Sequence, residues 1–214
     1  MKEQSVKHWM RRLVCYGIGM LVLTCGITLN TKTLLGVSPI ISVPNSLSVL
    51  FGWDLGWVVT LFYLLCVAAQ LPIKGRRFGI LDVLQFPVSF LSGWLVGWYS
   101  KTLSFPDPSW PLRLALLALA ILCMMVNMEL APNPADGLVD SISQRSGKSM
   151  GLCKNLFDLA CAAVTVTLSL ILGGTVIGIG LGTVATVLFT GRVIALVNHF
   201  LRVPMRRMAG LSEA

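Results

Sequence analysis

The sequence predicts an all-α membrane protein with six transmembrane helices, arranged as two inverted three-helix repeats with short broken or re-entrant segments. Of the 214 residues, 55% are hydrophobic and 12% are charged, whereas a soluble domain carries about 25% charged residues. The mean hydropathy is +0.79. Because too few polar residues remain to coat a soluble core, the composition excludes a water-soluble enzyme.

Six apolar runs are long enough to cross a bilayer, which takes about 17 to 25 residues in a helix. They cover residues 13–29, 55–71, 78–99, 112–128, 156–172 and 177–201. Helices are expected because each satisfies its own backbone hydrogen bonds in lipid. The apolar segment 37–52 contains Pro39 and Pro44, and a re-entrant and an interfacial placement both stay open for it.

The cationic residues between the runs predict the orientation. One side of the membrane would carry Lys2, Lys7, Arg11, Arg12, Lys74, Arg76, Arg77, Arg145, Lys148, Lys154, Arg202, Arg206 and Arg207, and the other Lys32, Lys101 and Arg113. The positive-inside rule then places both termini in the cytoplasm. An aromatic belt is expected at the opposite boundary, formed by Trp53, Trp57, Trp94, Trp98 and Trp110. The net charge of +8 is therefore assigned to cytoplasmic loops and not to nucleic-acid binding.

A short motif occurs twice. When Pro39 is aligned with Pro134, both places show a helix-capping residue (Ser38 or Asn133), then proline, then a short helix. Residues 79–82 likewise align with 180–183. The whole chain, 1–214, is expected to form one transmembrane domain, with a first repeat at about 11–101 and a second at about 110–203. Because each repeat holds three spans, the second would be inverted relative to the first.

These motifs resemble the YczE/YyaS/YitT group of bacterial integral membrane proteins. The resemblance rests on residues 35–39, on residues 178–183, and on Arg12 with Tyr16 and Gly17. The second half departs from the expected pattern by having Ala131 in place of glycine. The resemblance implies a multi-pass protein of the bacterial plasma membrane, with five or six spans and no established substrate or catalytic role.

Arg192 lies inside the sixth run, roughly ten residues or about 15 Å from its cytoplasmic end. Ionised groups at such depth cost at least ~2.5–3.5 kcal/mol and usually face a cavity or a partner. Two interpretations stay open. Arg192 is either a basic group that binds an anionic substrate or lipid headgroup, or a structural arginine, bonded to carbonyls near a helix break or brought closer to the interface by a tilted span.

Three acidic residues have both structural and functional interpretations. Asp82 suits the start of a helix, and Asp158 is four residues from Lys154, a spacing that permits an ion pair. Either aspartate is alternatively a proton- or cation-coupling residue. Asp136 lies three residues after Asn133 and would cap the short helix or line a binding site. Gln70 and Gln85 lie near the inner boundary, where they would line a cytoplasmic vestibule or, in the favoured interpretation, be solvated at the interface.

Two glycine patterns predict local packing. Ser89, Gly93 and Gly97 recur every four residues, which favours close packing either inside the molecule or in a dimer. The glycines at 173–182 predict a tight hairpin with a flexible approach to the sixth span.

The sequence shows no serine-histidine-acid set, paired catalytic carboxylates or P-loop, and its two histidines are far apart. No enzymatic activity, cofactor or metal is therefore expected. The favoured function is a small-molecule permease or exporter whose midplane site for an anionic or zwitterionic substrate is formed by Ser38, Pro39, Asn133, Pro134, Asp136 and Arg192. The alternative is a non-transporting accessory or substrate-binding subunit that works with a separate ATPase. Expected partners are membrane lipids, the substrate, and a membrane subunit or a second copy.

Overall fold

The computed structural model describes residues 2–103, 105, 108–124, 133–184 and 187. All regular secondary structure within them is helical. The α-helices are α1 (Lys2–Lys32), α2 (Pro39–Phe51), α3 (Leu55–Lys74), α4 (Ile80–Val83), α5 (Gln85–Thr102), α6 (Trp110–Met124), α7 (Pro134–Ser146) and α8 (Met150–Gly173).

Three segments of the described chain are long and apolar enough to cross a membrane. They are Leu55–Arg77, Ile80–Thr102 and Met150–Gly173, and two shorter apolar helices cover Pro39–Phe51 and Trp110–Ile121. The three segments contain the predicted second and fifth spans and all but the first two residues of the third, and α1 contains the first. Because most of the predicted sixth span lies outside the described residues, six crossings stay a prediction.

Helices α3 and α5 pack with their backbones in close approach. A Cβ atom on Gly56 would overlap the carbonyl oxygen of Gly93, and one on Gly93 would overlap the Thr60 side chain. Glycine is therefore required where the two helices touch. The small residues of α5 thus serve packing within the molecule, the first of the two predicted interpretations.

One end of the α3–α5 pair is marked by an ion pair. Lys101 Nζ at the end of α5 lies 2.8 Å from Asp54 Oδ2, just before α3. Lys32 Nζ donates to Ser100 O at 3.0 Å, so α1 ends at the same level. Each of the five tryptophans predicted to form the aromatic belt is more than half exposed, and Trp53, Trp57 and Trp98 flank this ion pair in sequence.

The unit formed by α2 and α3 is repeated as α7 and α8, with each position 95 residues after its counterpart, as from Pro39 to Pro134. Both short helices begin with proline and span 13 residues. Each ends at a left-handed glycine, Gly52 or Gly147. A serine hydroxyl then bridges each following turn, as Ser48 Oγ donates to Trp53 O and Ser143 Oγ to Lys148 O, both at 2.7 Å. These two units therefore share one local geometry, whereas the predicted pair of inverted three-helix repeats stays a prediction.

The two units exchange their short helices, in the sense that each short helix packs mainly against the long helix of the other unit. Helix α2 packs on α8 and α7 packs on α3. Ser42 of α2 hydrogen bonds to Thr165 of α8 at 2.7 Å, and the equivalent pair brings Gln70 of α3 against Gly137 of α7. The first turns of both short helices lie in one buried apolar cluster at the centre of the structure, which contains Ile27, Ile41, Leu55, Val59, Tyr63, Cys66, Val96, Ala135 and Leu138.

Both short helices begin beside the interior of a long helix. Asn133, which caps α7, contacts Tyr63, the ninth of the twenty residues of α3. Ser42 contacts the sixteenth of the 24 residues of α8, whereas Leu50 lies against Gly173 at the end of that helix. Each short helix therefore begins beside the interior of the neighbouring long helix and runs towards one end of that helix.

The predicted flexible approach to the sixth span is wrong for the residues described. Val37 N donates to Gly178 O at 2.9 Å and Gly182 N to Leu35 O at 2.6 Å. A Cβ on Gly180 would lie 2.5 Å from Leu35 O. The glycines allow this segment to pack against the loop before α2, which fixes it instead of leaving it mobile.

The second predicted sequence correspondence has the same local hydrogen bond in both copies. Gly79 N donates to Asp82 Oδ2 at 2.9 Å, and Gly180 N donates to Thr183 Oγ1 at 3.2 Å. Each side chain satisfies a backbone donor at the start of a helical turn.

Candidate functional site

A group of polar side chains surrounds the first turn of α7, and we refer to it as the α7 site. Its members come from α3, α7 and α8 and are Tyr63, Gln70, Asn133, Asp136, Lys154 and Asp158. It lies beside the apolar cluster to which Tyr63, Ala135 and Leu138 belong.

Asn133 fixes the start of α7. Its Oδ1 accepts from Ala135 N at 3.4 Å, and its Nδ2 donates to Tyr63 Oη at 3.2 Å. Pro134 follows as the first helical residue, where its missing N–H costs nothing. Because Tyr63 is almost completely buried, the start of α7 lies deep in the molecule, and the predicted capping role of Asn133 is confirmed.

Two buried glutamines join α7 to α3 and α5. Gln70 Nε2 donates to Gln85 Oε1 at 2.8 Å and to Pro134 O at 3.2 Å. Both amide side chains are fully buried, so the expectation that they are solvated at a boundary is wrong. Burial of two amides is tolerated because they bond to each other and to a backbone carbonyl. The sequence analysis did not predict this role, although an amide side chain inside an apolar run can indicate a buried hydrogen bond between helices.

Asp82 is engaged in structural contacts. Its Oδ1 lies 2.6 Å from Lys74 Nζ and accepts from Gln85 Nε2 at 3.2 Å, while its Oδ2 accepts from Gly79 N. These contacts match the predicted role at a helix start and link Asp82 to the α7 site through the glutamines.

The predicted ion pair between Lys154 and Asp158 is wrong in this structure, because Lys154 bonds to a different helix. Lys154 Nζ lies 2.5 Å from Asp136 Oδ1 in the first turn of α7. Asp158 Oδ1 is inaccessible to solvent and has no hydrogen-bond partner among the described residues. The four-residue spacing places Asp158 within reach of Lys154, but the packing of α7 on α8 brings the carboxylate of Asp136 closer to the Lys154 ammonium.

The start of α2 is arranged differently. Asn30 Oδ1 accepts from Ser38 N at 2.7 Å, and the Ser38 side chain makes no capping hydrogen bond, contrary to its predicted capping role. Pro39 is buried, and its carbonyl accepts from Ser42 Oγ at 2.6 Å. The first turn of α2 carries no acidic residue, whereas that of α7 carries Asp136. The two helix starts therefore differ in charge.

The structure thus brings together Asn133, Pro134, Asp136 and Asp158, and places the start of α2 in the same apolar cluster through Ile41. Arg192 lies outside the described residues, so its predicted place in the site stays a prediction. In the part of the chain that the structure describes, no group of three or more His, Cys, Asp or Glu side chains is arranged to hold a metal ion.

The chain belongs to a family of unknown function (DUF6198), whose family model matches residues 10–199. A search of curated proteins and a search of solved structures gave no match. Nothing in these comparisons bears on the YczE/YyaS/YitT resemblance, which stays a prediction. Membership covers nearly the whole described fold and leaves the activity to be argued from the site.

Proposed function

We propose that this protein is a small-molecule permease or exporter with a midplane site for an anionic or zwitterionic substrate. The observation that carries the proposal is the pair of 13-residue helices, α2 and α7, that begin beside the interiors of α8 and α3. Discontinuous helices of this kind commonly form substrate sites in transporters built from inverted repeats.

The electrostatics of the two helix starts support a polar substrate. The N-terminus of a helix carries about half a positive charge and unpaired N–H groups. At α2 no acidic side chain opposes an anionic group, whereas the start of α7 has two carboxyl groups, of Asp136 and Asp158, beside the single ammonium of Lys154. A zwitterion, with opposite charges at its two ends, would match this difference better than a simple anion.

The membrane arrangement is part of the proposal. If α3, the α4–α5 segment and α6 each cross the bilayer, three crossings separate α2 from its counterpart α7, and the second unit is inverted. In that arrangement α2 would be re-entrant from the outer side and α7 from the cytoplasmic side. We place the protein in the bacterial plasma membrane with both termini cytoplasmic, which agrees with the positive residues of the predicted cytoplasmic loops.

Transport by purified protein tests the proposal. The full chain is reconstituted into proteoliposomes, and amino acids, other zwitterions and carboxylates are screened first by thermal stabilisation and then by uptake. We expect at least one compound to be transported, and Asp136→Asn to reduce its rate at least tenfold. Asp140→Asn is the matched control, because Asp140 lies one turn further along α7 and bonds only to Gln144 among the contacts that the structure shows.

Two outcomes would count against a permease. One is the failure of every compound to stabilise the protein or to move. The other is recovery of a stoichiometric ATPase from native membranes together with no transport by the isolated chain, which would favour an accessory or substrate-binding subunit.

A further inference from the structure

The two repeated units differ at one set of equivalent positions. Asp136 and Lys154, which form the ion pair between α7 and α8, correspond to Ile41 and Val59 of the first unit. Both of these apolar residues lie in the central cluster. The same helix packing therefore forms in the first unit without charges, and the fold by itself does not require them in the second.

A third difference lies one turn further along α8. Asp158 corresponds to Tyr63, whose hydroxyl is bonded to the capping residue of α7. Asp158 has no such bond among the described residues, and its Oδ1 is buried. Ser38, the capping residue of α2, also lacks a side-chain capping bond. The second unit thus carries two carboxylates, of Asp136 and Asp158, and one ammonium, of Lys154, and we call these three residues the charged trio.

The trio leads from an accessible region to a buried one. Side-chain exposure is 41% for Asp136 and 27% for Lys154, whereas Asp158 Oδ1 is inaccessible. Lys154 and Asp158 are the fifth and ninth residues of α8, about 6 and about 12 Å from its start. Charged side chains at such depth in a membrane protein normally face water or a partner, so the trio has a route to water through its outer members.

We propose that Asp158 is the proton-carrying residue of this protein and that Lys154 changes its partner when the proton leaves. This inference rests on the proposed transport function, for which it names the coupling ion. A proton needs no cavity, whereas a metal cation needs several ligands, and Asp158 Oδ1 has no polar partner within hydrogen-bond distance among the described residues.

The step balances as a simple acid–base reaction. Asp158 takes a proton from water, the carboxylate becomes a neutral carboxyl, and Lys154 stays bonded to Asp136, as the structure shows. When the proton returns to water, the carboxylate of Asp158 competes for Lys154, which is within reach at four residues on the same helix. Movement of Lys154 towards Asp158 weakens the connection between α7 and α8 and so releases the start of α7.

Other titratable groups lie around the charged trio on the neighbouring elements. Cys161 lies on α8 itself and Asp136 on α7, while Tyr63 and Cys66 come from α3. Helix α2 has no titratable side chain. Because the tyrosine and the cysteines are neutral at neutral pH, Lys154 and Asp136 are the described charges that set the protonation of Asp158.

Infrared difference spectroscopy tests the assignment without any knowledge of the substrate. Spectra of the full-length protein in lipid vesicles are recorded between about pH 4 and about pH 9, a range that covers ordinary and raised carboxyl pKa values. We expect a carboxyl band that titrates in the parent, is lost in Asp158→Asn and persists in the control Asp140→Asn. Asp158→Glu keeps the carboxyl and should shift the band without removing it, which guards against misreading an unfolded variant.

The outcomes separate the proton site from transport itself. Persistence of the titrating band in folded Asp158→Asn would overturn the proposal. So would a tenfold change, when choline replaces Na⁺, in the proton concentration at which the band of the parent is half titrated. A titrating Asp158 in a protein that transports nothing would support the proton site and defeat the transport proposal. Transport that keeps its full pH dependence in Asp158→Asn would overturn proton coupling while transport stands.

Discussion

Asp54 connects two helices at the end of the molecule that the tryptophans flank. Its Oδ1 accepts from Gly56 N at 3.0 Å and from Trp57 N at 3.3 Å, which caps α3, and its Oδ2 pairs with Lys101 of α5. The hydrogen bond from Lys101, together with those from the two backbone N–H groups, lowers the pKa of Asp54 from its ordinary value of 3.8. The charged form of this residue is therefore the one that stabilises the fold.

Replacement of Asp54 by asparagine should make this contribution visible. Because the pKa is lower in the folded state, the stabilisation is present above pH 3.8 and is lost as pH falls through the lower folded value. The substituted asparagine still caps the helix, so the loss near neutral pH should be at most about 1 kcal/mol, as for an exposed ion pair. Thermal unfolding in detergent should show the two proteins converging in acid. A difference that grows on acidification would contradict the assignment.

Individual residues show where sequence reasoning succeeded and where it stopped. The capping role of Asn133 was predictable because it depends on residues next to it in the chain. The partner of Lys154 was not, because Asp136 reaches it only through the packing of α7 on α8. The burial of Gln70 had the same cause, since its acceptors come from residues 85 and 134.

At the scale of elements, the first unit offers a template for removing the ion pair from the second. Lys154→Val alone leaves the Asp136 carboxylate without its partner and should cost about 1 to 3 kcal/mol. The double variant Asp136→Ile, Lys154→Val recreates the apolar pair of α2 and α3 and should unfold within about 1 kcal/mol of the parent.

Chemical denaturation of the parent, the single variant and the double variant measures these differences. We expect the double variant to be stable yet unable to transport, because it lacks two members of the charged trio. A double variant less stable than Lys154→Val would show that the charges are structural after all.

The elements themselves were predictable to different degrees. The starts of α2 and α7 were predictable, because each has proline at the first helical position and a residue before it that favours a helix start. Helices α3, α5 and α8 were predictable from the length of their apolar runs. The exchange of α2 and α7 between units could not be read from the sequence, because the residues that join α2 to α8 and α7 to α3 are far apart in the chain. The glycines at 178–182 were misread for a related reason: a glycine needed for close backbone contact looks the same in sequence as one that provides flexibility.

For the whole molecule, the main expectation is that the two turns between short and long helices lie on opposite sides of the membrane. Trp53→Cys and Lys148→Cys replace exposed residues at equivalent positions of the two turns. In intact bacterial cells, an impermeant thiol reagent should label the cysteine introduced at position 53 and not the one at position 148. In inverted membrane vesicles the pattern should be reversed.

The parent protein, with its native cysteines, is the control for background labelling in both preparations. Equal labelling of the two variants from the same side would refute the inverted arrangement and leave the duplicated local geometry in place. The long apolar helices α3, α5 and α8 were predictable from their length and composition, whereas the start of each short helix beside the interior of a long one needed the contacts of Tyr63 and Thr165.

The exchange of short helices also has a consequence for biosynthesis. Ser42 and its partner Thr165 are separated by 123 residues, and a ribosome that adds about 5–20 residues per second needs roughly 6 to 25 s to make that stretch. During this interval α2 has left the ribosome while the helix against which it finally packs does not yet exist. Helix α3 covers part of the apolar surface of α2, but the part that finally packs against α8 has no protein partner until α8 is made. The first half of the chain therefore cannot complete its own core before the second half has been synthesised.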